Sequence, residues 1–437
     1  MKVGLRAEAS VEVGTGHVMR CRALADALRE RGAECDFVES ADGVDWLVVD
    51  HYGLDERWEG AARRKAKLLA IDDLGRRHDC DILVDQNFFS DPAARYAGRV
   101  PERCRKLLGP RYAMLRREFA QARKRERDGK VRQVLVSLGG TDPRNITAQT
   151  LDVLRGKGLS VDVVVGAANP NKAEVTRQCE LAGFRFHEQA TNMAELMDAA
   201  DLAVGAGGTT TWERLCMGLP TLQLVLADNQ EAPTRALADA GLVFYGGPSL
   251  TESALRQALQ DPAALARQSR RMRGFVDGQG ARRVAAALLA SARSRISLRD
   301  ATSADARLYF DWANDPEVRR QSMTSRPIDW PEHEAWFAKR LADSLLLLAE
   351  DEGGVPLGQV RFERKDPRWR VNYSVGEEFR GAGLAAKMLG SAIAELRRRE
   401  PGATLAAEVK PDNAASRKVF ARLGFKEVSG TMFEQDA

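Results

Sequence analysis

Cysteine is scarce in this sequence, and its six cysteines are scattered over 437 residues without a CxxC pair. Several lie in apolar runs, where a thiol behaves as a small hydrophobic group. The five histidines form no cluster with metal-ligand spacing. These patterns indicate neither a disulfide framework nor a zinc site, and we predict no bound metal.

Long hydrophobic runs are also missing. No apolar run reaches about 18 residues, the length needed to cross a bilayer, and the opening MKVGLRAEAS lacks the apolar segment of a signal peptide. The 66 lysines and arginines exceed the 62 aspartates and glutamates by only four, which does not favour a nucleic-acid or membrane partner. We therefore expect a soluble cytoplasmic protein that binds neither.

Short apolar strands that alternate with helices are plentiful. Up to about Lys106, stretches such as VDWLVVD and AKLLAIDD alternate with helical ones, which is typical of a parallel sheet covered by helices. The charge-rich segment 116–132 is predicted to be an exposed connection. The pattern restarts at VRQVLVSLGGTD and changes again at Ile296.

These changes predict an α/β protein of three domains. Two Rossmann-like lobes are expected at 1–128 and 129–294, and a separate α/β domain at 295–437. In the third domain, LLLLAEDEGGVPLGQVRFER predicts a β-hairpin around a Gly-Gly turn.

Glycines follow a strand and open a helix three times in the first two lobes. They are Gly14 and Gly16, then Gly139 and Gly140, then Gly205, Gly207 and Gly208. Glycine lets backbone amides approach an anion closely, and a helix N-terminus offers unpaired N–H groups. One such turn is often only steric, but three in two lobes predict a cleft for a phosphorylated ligand.

The third turn, GAGGTTTWERLCMG, also contains Glu213. A carboxylate at this position could accept hydrogen bonds from ribose hydroxyls while the turn binds phosphate. On its own, however, Glu213 is better explained as an ordinary first-turn glutamate favoured by the helix dipole.

About the first 290 residues resemble a known family. The motifs RAEAS, GTGHVMRCRALA, IDDL, YAMLRREF, SLGGTD, GAGGTTTWE and LADNQ occur in this order. They are similar to those of the UDP-2,4-diacetamido-2,4,6-trideoxy-beta-L-altropyranose hydrolases of pseudaminic acid biosynthesis. These hydrolases are relatives of the peptidoglycan N-acetylglucosaminyltransferase, and the resemblance implies its two-lobed GT-B fold.

The resemblance also implies roles for individual residues. Gly139, Gly140 and Thr141 would lie near the diphosphate of UDP, and Glu213 would meet the ribose. Asn229 and Gln230 would line the sugar side, and Asn229 is counted with the catalytic candidates. Further contacts to the UDP-sugar are expected from Gly14, Gly16, Gly207, Gly208 and Thr209.

His17 would then stand at the anomeric carbon of the sugar. UDP departs as a stable anion whose charge oriented amides can absorb, so the harder task is to activate water. A neutral imidazole can accept a proton from that water. The alternative is a helix-capping or core histidine, but the position of His17 ahead of the apolar stripe of its helix favours the cleft.

The C-terminal part, from about Ile296, resembles a second family. The stretch VNYSVGEEFRGAGLAAKMLG contains a turn of the form R-x-x-G-x-A, which is similar to the coenzyme A motif of the GNAT acetyltransferase superfamily. The resemblance implies acetyl-CoA as co-substrate, held by Val375, Arg380, Gly381, Ala382, Gly383, Ala385 and Asn413.

The acid and base of this domain are less clearly marked. Glu408 lies where many members place a carboxylate that deprotonates the acceptor amine, and it could equally be a solvent-facing strand residue. Many relatives have a tyrosine as general acid where this sequence has Phe420. Either solvent or another group, such as Tyr373, protonates coenzyme A, or the activity is weakened.

Together, the two resemblances predict a bifunctional enzyme with a UDP-sugar and acetyl-CoA as partners. It would acetylate the 4-amino group of UDP-4-amino-4,6-dideoxy-beta-L-AltNAc and then remove UDP. The alternatives are a GT-B glycosyltransferase with an appended acetyltransferase, the same two activities on a related nonulosonate precursor, and a nucleotide-sugar-binding regulator with a protein acetyltransferase.

Overall fold

The computed structural model describes residues 1–8, 16–89, 91–122, 125–290, 295–365 and 367–436. The chain forms two compact units, residues 1–288 and 289–437. Within the described residues, no helix is long and apolar enough to cross a membrane.

The first lobe of the first unit is built on a parallel sheet of six strands. The strands are β1 (Lys2–Ala7), β2 (Glu34–Phe37), β3 (Trp46–Asp50), β4 (Lys67–Ile71), β5 (Ile82–Asp85) and β6 (Arg105–Leu108), in the order β2-β1-β3-β4-β5-β6. The helices are α1 (Gly16–Arg29), α2 (Glu56–Ala62) and α3 (Pro92–Arg95), and residues Pro110–Tyr112 form a 3₁₀ turn. Every residue of β3 and of β5 is buried, as expected for a sheet covered on both faces.

The second lobe repeats this plan. Its parallel sheet contains β7 (Gln133–Ser137), β8 (Ser160–Val165), β9 (Arg185–Glu188), β10 (Leu202–Ala206), β11 (Thr221–Leu224) and β12 (Phe244–Gly247), in the order β12-β11-β10-β7-β8-β9. Helix α4 (Arg117–Ala122) comes between the two sheets in the order of the chain. The remaining helices are α5 (Ile146–Leu154), α6 (Lys172–Ala182), α7 (Met193–Ala199), α8 (Thr210–Cys216), α9 (Glu231–Asp239), α10 (Glu252–Leu259), α11 (Pro262–Phe275) and α12 (Gly280–Leu289), with a 3₁₀ turn at Asp228–Gln230.

The prediction of an exposed connection over 116–132 is wrong for part of this segment, of which the structure describes residues 116–122 and 125–132. Phe119 is fully buried in a core that also contains second-lobe residues such as Trp212. Arg127 is 6% exposed, and it donates to the carbonyl oxygens of Ala200 (3.0 Å) and Met217 (2.7 Å). An arginine can be buried here because backbone carbonyls accept its N–H groups. Phe119 and Arg127 thus pack against the second lobe.

The last helix of the first unit runs back to the first lobe. Arg105 donates from Nη2 to the carbonyl oxygen of Ala287 on α12 (2.9 Å), and Arg283 donates from Nη1 to the carbonyl oxygen of Arg111 (2.9 Å). The first unit therefore consists of two Rossmann-like lobes in the GT-B arrangement, with α12 linking them.

The second unit is a mixed sheet of seven strands with helices. Its strands are β13 (Ser297–Asp300), β14 (Ser344–Glu350), β15 (Pro356–Lys365), β16 (Arg368–Val375), β17 (Leu405–Glu408), β18 (Lys426–Glu427) and β19 (Met432–Gln435), in the order β13-β14-β15-β16-β17-β19-β18. Its helices are α13 (Ala306–Ala313), α14 (Pro316–Gln321), α15 (Trp330–Asp343), α16 (Leu384–Arg399) and α17 (Ala414–Arg422), with 3₁₀ turns at Ser303–Asp305 and Glu377–Phe379. The antiparallel pair β14 and β15 is the expected hairpin.

The middle of this sheet is splayed. Among the described residues, the parallel strands β16 and β17 pair only at Trp369 with Leu405 and at Arg370 with Ala406. Beyond these pairs the two strands separate toward their carboxyl ends. This separation opens the sheet where the acetyl-CoA site is predicted.

Candidate active sites

His17 lies in the first turn of α1 and contacts the end of a buried strand. Its side chain is 7% exposed, and Nδ1 lies 2.7 Å from Oδ1 of Asp50, the last residue of β3. The imidazole ring also packs edge-on against the ring of Tyr52, with 4.7 Å between centroids. These contacts fix the orientation of the ring.

Asp50 is held in turn by an arginine one helical turn after His17. Arg20 donates from Nε to Oδ2 of Asp50 (2.5 Å) and from Nη2 to Oδ1 (2.6 Å). Burial alone would disfavour the charged carboxylate, but the charge and hydrogen bonds of Arg20 outweigh it and lower the pKa of Asp50 to about 2. Because an ionised carboxylate only accepts hydrogen bonds, Nδ1 of His17 is the protonated nitrogen, and Nε2 can accept a proton.

The network continues through Asp73. Arg20 donates from Nη1 to Oδ2 of Asp73 (3.2 Å), and the hydroxyl of Tyr52 donates to Oδ1 (2.8 Å). Sequence reasoning missed Arg20, Asp50, Tyr52 and Asp73. A usable signal was present, because Asp50 and Asp73 end or follow buried strands, and Arg20 shares a helix face with His17.

The start of α1, directly before His17, lies close to the second lobe. Gly14 falls outside the described residues, whereas Gly16 is the first residue of α1. A Cβ atom on Gly16 would lie 3.0 Å from Oγ1 of Thr209, a residue of the second lobe. Gly16 of the first turn and Thr209 beside the third turn therefore lie close together.

The second glycine turn follows β7. Gly139 and Gly140 are exposed, and Thr141 is half-buried. The backbone N–H groups of Ile146 and Thr147, at the start of α5, donate to the carboxylate of Asp142 (2.9 and 2.8 Å). The expected free helix N-terminus is thus already occupied, so an anion would be bound by the loop amides instead.

The third turn differs from its prediction at one glycine. Gly205 lies inside β10, where a Cβ atom would come within 2.4 Å of Nη1 of the buried Arg214, so its role is packing. Gly208 is exposed and Gly207 half-buried at the end of the strand, beside Thr209. Since α8 has only seven residues, its dipole adds little to this loop.

Glu213 lies on α8 behind this turn. Its side chain is 13% exposed, and Oε1 lies 3.8 Å from Nη2 of Arg116. Burial outweighs the attraction of Arg116 and raises the pKa of Glu213 to about 7. At neutral pH this carboxyl is therefore divided between its neutral and charged forms.

Asn229 and Gln230 lie in the 3₁₀ turn before α9. Asn229 is exposed, whereas Oε1 of Gln230 accepts a hydrogen bond from the backbone N–H of Leu226 (3.0 Å). A Cβ atom on Gly207 would lie 3.1 Å from Cβ of Gln230. Gln230 thus joins the third glycine turn to the loop that carries Asn229.

The second unit contains a cavity of about 860 Å³ where β16 and β17 separate. Six of the seven residues predicted to bind acetyl-CoA line it: Val375, Arg380, Gly381, Gly383, Ala385 and Asn413. Ala382 is not among the lining residues. Glu408, Tyr373 and Phe420 also line the cavity, so the structure brings these candidates together.

The turn that precedes the N-terminus of α16 requires two glycines. Gly381 and Gly383 both have φ of +77°, a left-handed conformation that residues with a Cβ atom rarely adopt. Arg380 is fixed by a 2.7 Å hydrogen bond from Nη2 to Oδ1 of Asp315. The backbone of this turn is therefore shaped by glycine and held by an ion pair.

The candidate acid and base of the GNAT domain both have hydrogen-bond partners. Glu408 accepts a hydrogen bond from Nη2 of Arg370. The hydroxyl of Tyr373 donates to Oγ of Ser416 (3.1 Å), and burial raises the pKa of Tyr373. Asn413 caps α17, because its Oδ1 accepts from the N–H of Ser416 (3.1 Å). Its side chain thus shapes the cavity wall.

No group of three or more histidine, cysteine, aspartate or glutamate side chains arranged for a metal ion occurs in the described part of the chain.

Two Rossmann-like lobes with glycine turns, followed by a splayed sheet with a further glycine turn, define an enzyme of two parts. Residues 295–426 match the family model described as acetyltransferase (GNAT) domain. The second unit is therefore a GNAT acetyltransferase domain.

The first unit is related to proteins of sugar metabolism. Over 55% of the chain it is 26% identical to the UDP-2,4-diacetamido-2,4,6-trideoxy-beta-L-altropyranose hydrolase of Campylobacter jejuni, and the match covers 97% of that protein. The spore coat polysaccharide biosynthesis protein SpsG of Bacillus subtilis is 28% identical over 66% of the chain and 98% of its own length. An uncharacterized protein of Methanocaldococcus jannaschii is 24% identical over 98% of the chain and 97% of its own length.

Proposed function

We propose that the protein is a bifunctional enzyme of pseudaminic acid biosynthesis. Its GNAT domain would transfer an acetyl group from acetyl-CoA to the 4-amino group of UDP-4-amino-4,6-dideoxy-beta-L-AltNAc. Its first unit would then hydrolyse the product, UDP-2,4-diacetamido-2,4,6-trideoxy-beta-L-altropyranose, to UDP and the free sugar. We also propose that the protein acts in the cytoplasm.

The hydrolytic half rests on the His17–Asp50 pair beside the glycine turns. Nε2 of His17 accepts a proton from water while the water oxygen bonds to the anomeric carbon. The bond from that carbon to the diphosphate oxygen breaks, and its electron pair leaves with UDP. Amides of the loops at Gly139–Thr141 and Gly207–Thr209 absorb the charge of the leaving diphosphate.

The acetyl-transfer half rests on the glycine turn and the cavity. The backbone of Gly381 and Gly383 binds the pyrophosphate of acetyl-CoA, and the cavity receives the thioester. The neutral acceptor amine bonds to the acetyl carbon and gives up one proton toward Glu408, while the carbon–sulfur bond breaks and the thiolate of coenzyme A leaves. Tyr373 then protonates this thiolate, since Phe420 has no acidic proton.

A related sugar is the second candidate substrate. The observation that favours it is the likeness to a Bacillus protein that is named for spore coat polysaccharide biosynthesis rather than for pseudaminic acid. In that case the same residues perform the same two reactions on a UDP-linked 4-amino sugar of different stereochemistry.

One experiment tests both halves. The protein is incubated with UDP-4-amino-4,6-dideoxy-beta-L-AltNAc and acetyl-CoA, and the products are followed by mass spectrometry and NMR. We expect an acetylated UDP-sugar first and then free diacetamido sugar with UDP. Without acetyl-CoA, the free diacetamido sugar must not form. Absence of both products refutes the proposal, and sugar release that requires an added sugar acceptor indicates a glycosyltransferase instead.

A further inference from the structure

The cavity of the GNAT domain extends beyond the residues assigned to the coenzyme. On β15, the side chains of Gln359, Arg361 and Glu363 line it, whereas the intervening Val360 and Phe362 are fully buried in the core. The sheet therefore presents a polar face to the cavity and an apolar face to α16.

Within this polar face, Arg361 lies away from the coenzyme turn. It pairs with Asn372 on β16, and Asn372 comes three residues before Val375, from which the chain enters the turn. At about 3.3 Å per residue, the separation along the strand is about 10 Å. Arg361 is thus placed to contact the acetyl acceptor rather than the pyrophosphate of the coenzyme.

Arg361 differs from the other arginines that line the cavity. Arg319, Arg370 and Arg380 each use a terminal nitrogen to hydrogen-bond a protein oxygen. Arg361 instead contacts Oε1 of Glu363 through Nε (2.7 Å). Within the described residues, its two Nη atoms have no hydrogen-bond partner.

The guanidinium of Arg361 is held in place by contacts to an aromatic ring and a carboxylate. Its central carbon lies 4.9 Å from the centroid of the Trp336 ring, a cation–π contact, and the side chain is only 20% exposed. Glu363 is also 3.7 Å from Nη1 of Arg340, so its charge is shared by two arginines. A mostly buried arginine with free, fixed N–H groups is suited to bind an anion.

We propose that Arg361 binds a phosphate group of the acetyl acceptor and thereby selects a nucleotide-linked amine over a free one. This inference rests on the proposed acetylation of a UDP-linked amino sugar. The planar guanidinium offers both Nη atoms to phosphate oxygens, while Trp336 and Glu363 keep its orientation. Arg361 is thus a residue of acceptor specificity.

The test compares two acceptors, the UDP-linked 4-amino sugar and the same amino sugar without UDP. Initial rates of coenzyme A thiol release are measured for the full chain and for Arg361→Gln, Arg361→Lys and Lys365→Gln. Lys365 is exposed at the end of β15 and does not line the cavity. Its substitution by glutamine removes one positive charge, as Arg361→Gln does.

We expect Arg361→Gln to raise KM for the UDP-linked acceptor about 10- to 100-fold, the usual effect of a charge-assisted hydrogen bond. KM for acetyl-CoA and kcat/KM for the free amino sugar should change less than threefold. Arg361→Lys keeps the charge and the packing of the stem, and it should lose an intermediate factor. Lys365→Gln should match the unaltered chain.

The outcomes separate this inference from the proposed function. If the unaltered chain acetylates neither acceptor, the proposed acetyl transfer fails, and the inference fails with it. If it acetylates the UDP-linked sugar but both Arg361 variants keep the preference between acceptors, only this inference is overturned. An equal loss for both acceptors, or a rise in KM for acetyl-CoA, also overturns it.

Discussion

Nδ1 of His17 lies 2.7 Å from Oδ1 of Asp50, and this contact fixes which nitrogen of the imidazole is free. Because Arg20 keeps Asp50 ionised, the neutral form of the imidazole has its proton on Nδ1 and its lone pair on Nε2. A histidine that only capped its helix would not need a carboxylate so firmly held. The pair has the arrangement that a water-activating base requires.

The first prediction is that His17→Asn lowers the rate of hydrolysis by about 10² to 10⁴, the usual contribution of a positioned acid–base group. UDP affinity should change little, because the nucleotide is expected in the second lobe. Turnover is measured as UDP release, and affinity by calorimetric titration with UDP. Near-full turnover in the variant would remove His17 from the mechanism.

The second prediction concerns Asp50→Asn, which keeps the shape of the side chain but removes its charge. Hydrolysis should fall at least about 10²-fold, because the imidazole loses the group that fixes its tautomer. The free energy of unfolding should drop by about 3–5 kcal/mol, since the buried Arg20 loses its closest counter-charge and keeps only the longer contact to the partly exposed Asp73. Urea unfolding and UDP release measure the two effects.

The ion pair of Asp50 and Arg20 should also make the free energy of unfolding depend on pH in acid. The pKa of Asp50 in the fold is about 2, below the ordinary value of 3.8, so its stabilising effect is complete above pH 3.8 and disappears as the pH falls toward 2. This loss amounts to about 2 kcal/mol. It should be absent from Asp50→Asn and retained in Asp36→Asn, a change at an exposed aspartate of the same sheet. Equal acid sensitivity in all three chains would contradict the assignment.

Local signals in the sequence were sufficient for much of the molecule. The alternation of strands and helices predicts the two parallel sheets, and the R-x-x-G-x-A turn predicts residues that indeed line one cavity, such as Arg380 and Gly383. These features depend on neighbours in the chain, so a local pattern is informative.

The remaining features depend on contacts between distant residues. Asp50 and Arg20 are 30 residues apart, and neither belongs to a motif that names its partner. Arg127 looked like part of a solvated charged run, yet carbonyl oxygens of the second lobe accept its N–H groups and allow its burial. The charge of a segment alone does not show whether it is exposed, because the free-energy cost of burying a charged side chain depends on its hydrogen-bond partners.

The third prediction uses Glu213, whose pKa of about 7 lies well above the ordinary 4.5. If its carboxylate accepts hydrogen bonds from the ribose of UDP, the charged form binds better, and UDP affinity should increase as the pH rises from 6 to 8. Glu213→Gln should remove this dependence, whereas Glu180→Gln, at an exposed glutamate of the same lobe, should keep it. Calorimetric titrations at several pH values measure it. A pH-independent affinity in the unaltered chain would argue against ribose binding by this carboxylate.

The last prediction addresses the acid of the acetyltransferase. Tyr373 and Phe420 both line the cavity, and their ring centroids lie 5.7 Å apart. Tyr373→Phe should lower the rate of thiol release from acetyl-CoA by about 10²-fold if its hydroxyl protonates the leaving thiolate. Adding Phe420→Tyr to that variant should restore part of the rate, because it places a phenol where many relatives have one. An unchanged rate in Tyr373→Phe would show that solvent supplies the proton, and a loss that Phe420→Tyr does not restore would indicate that the Tyr373 hydroxyl acts through its hydrogen bond to Ser416 instead.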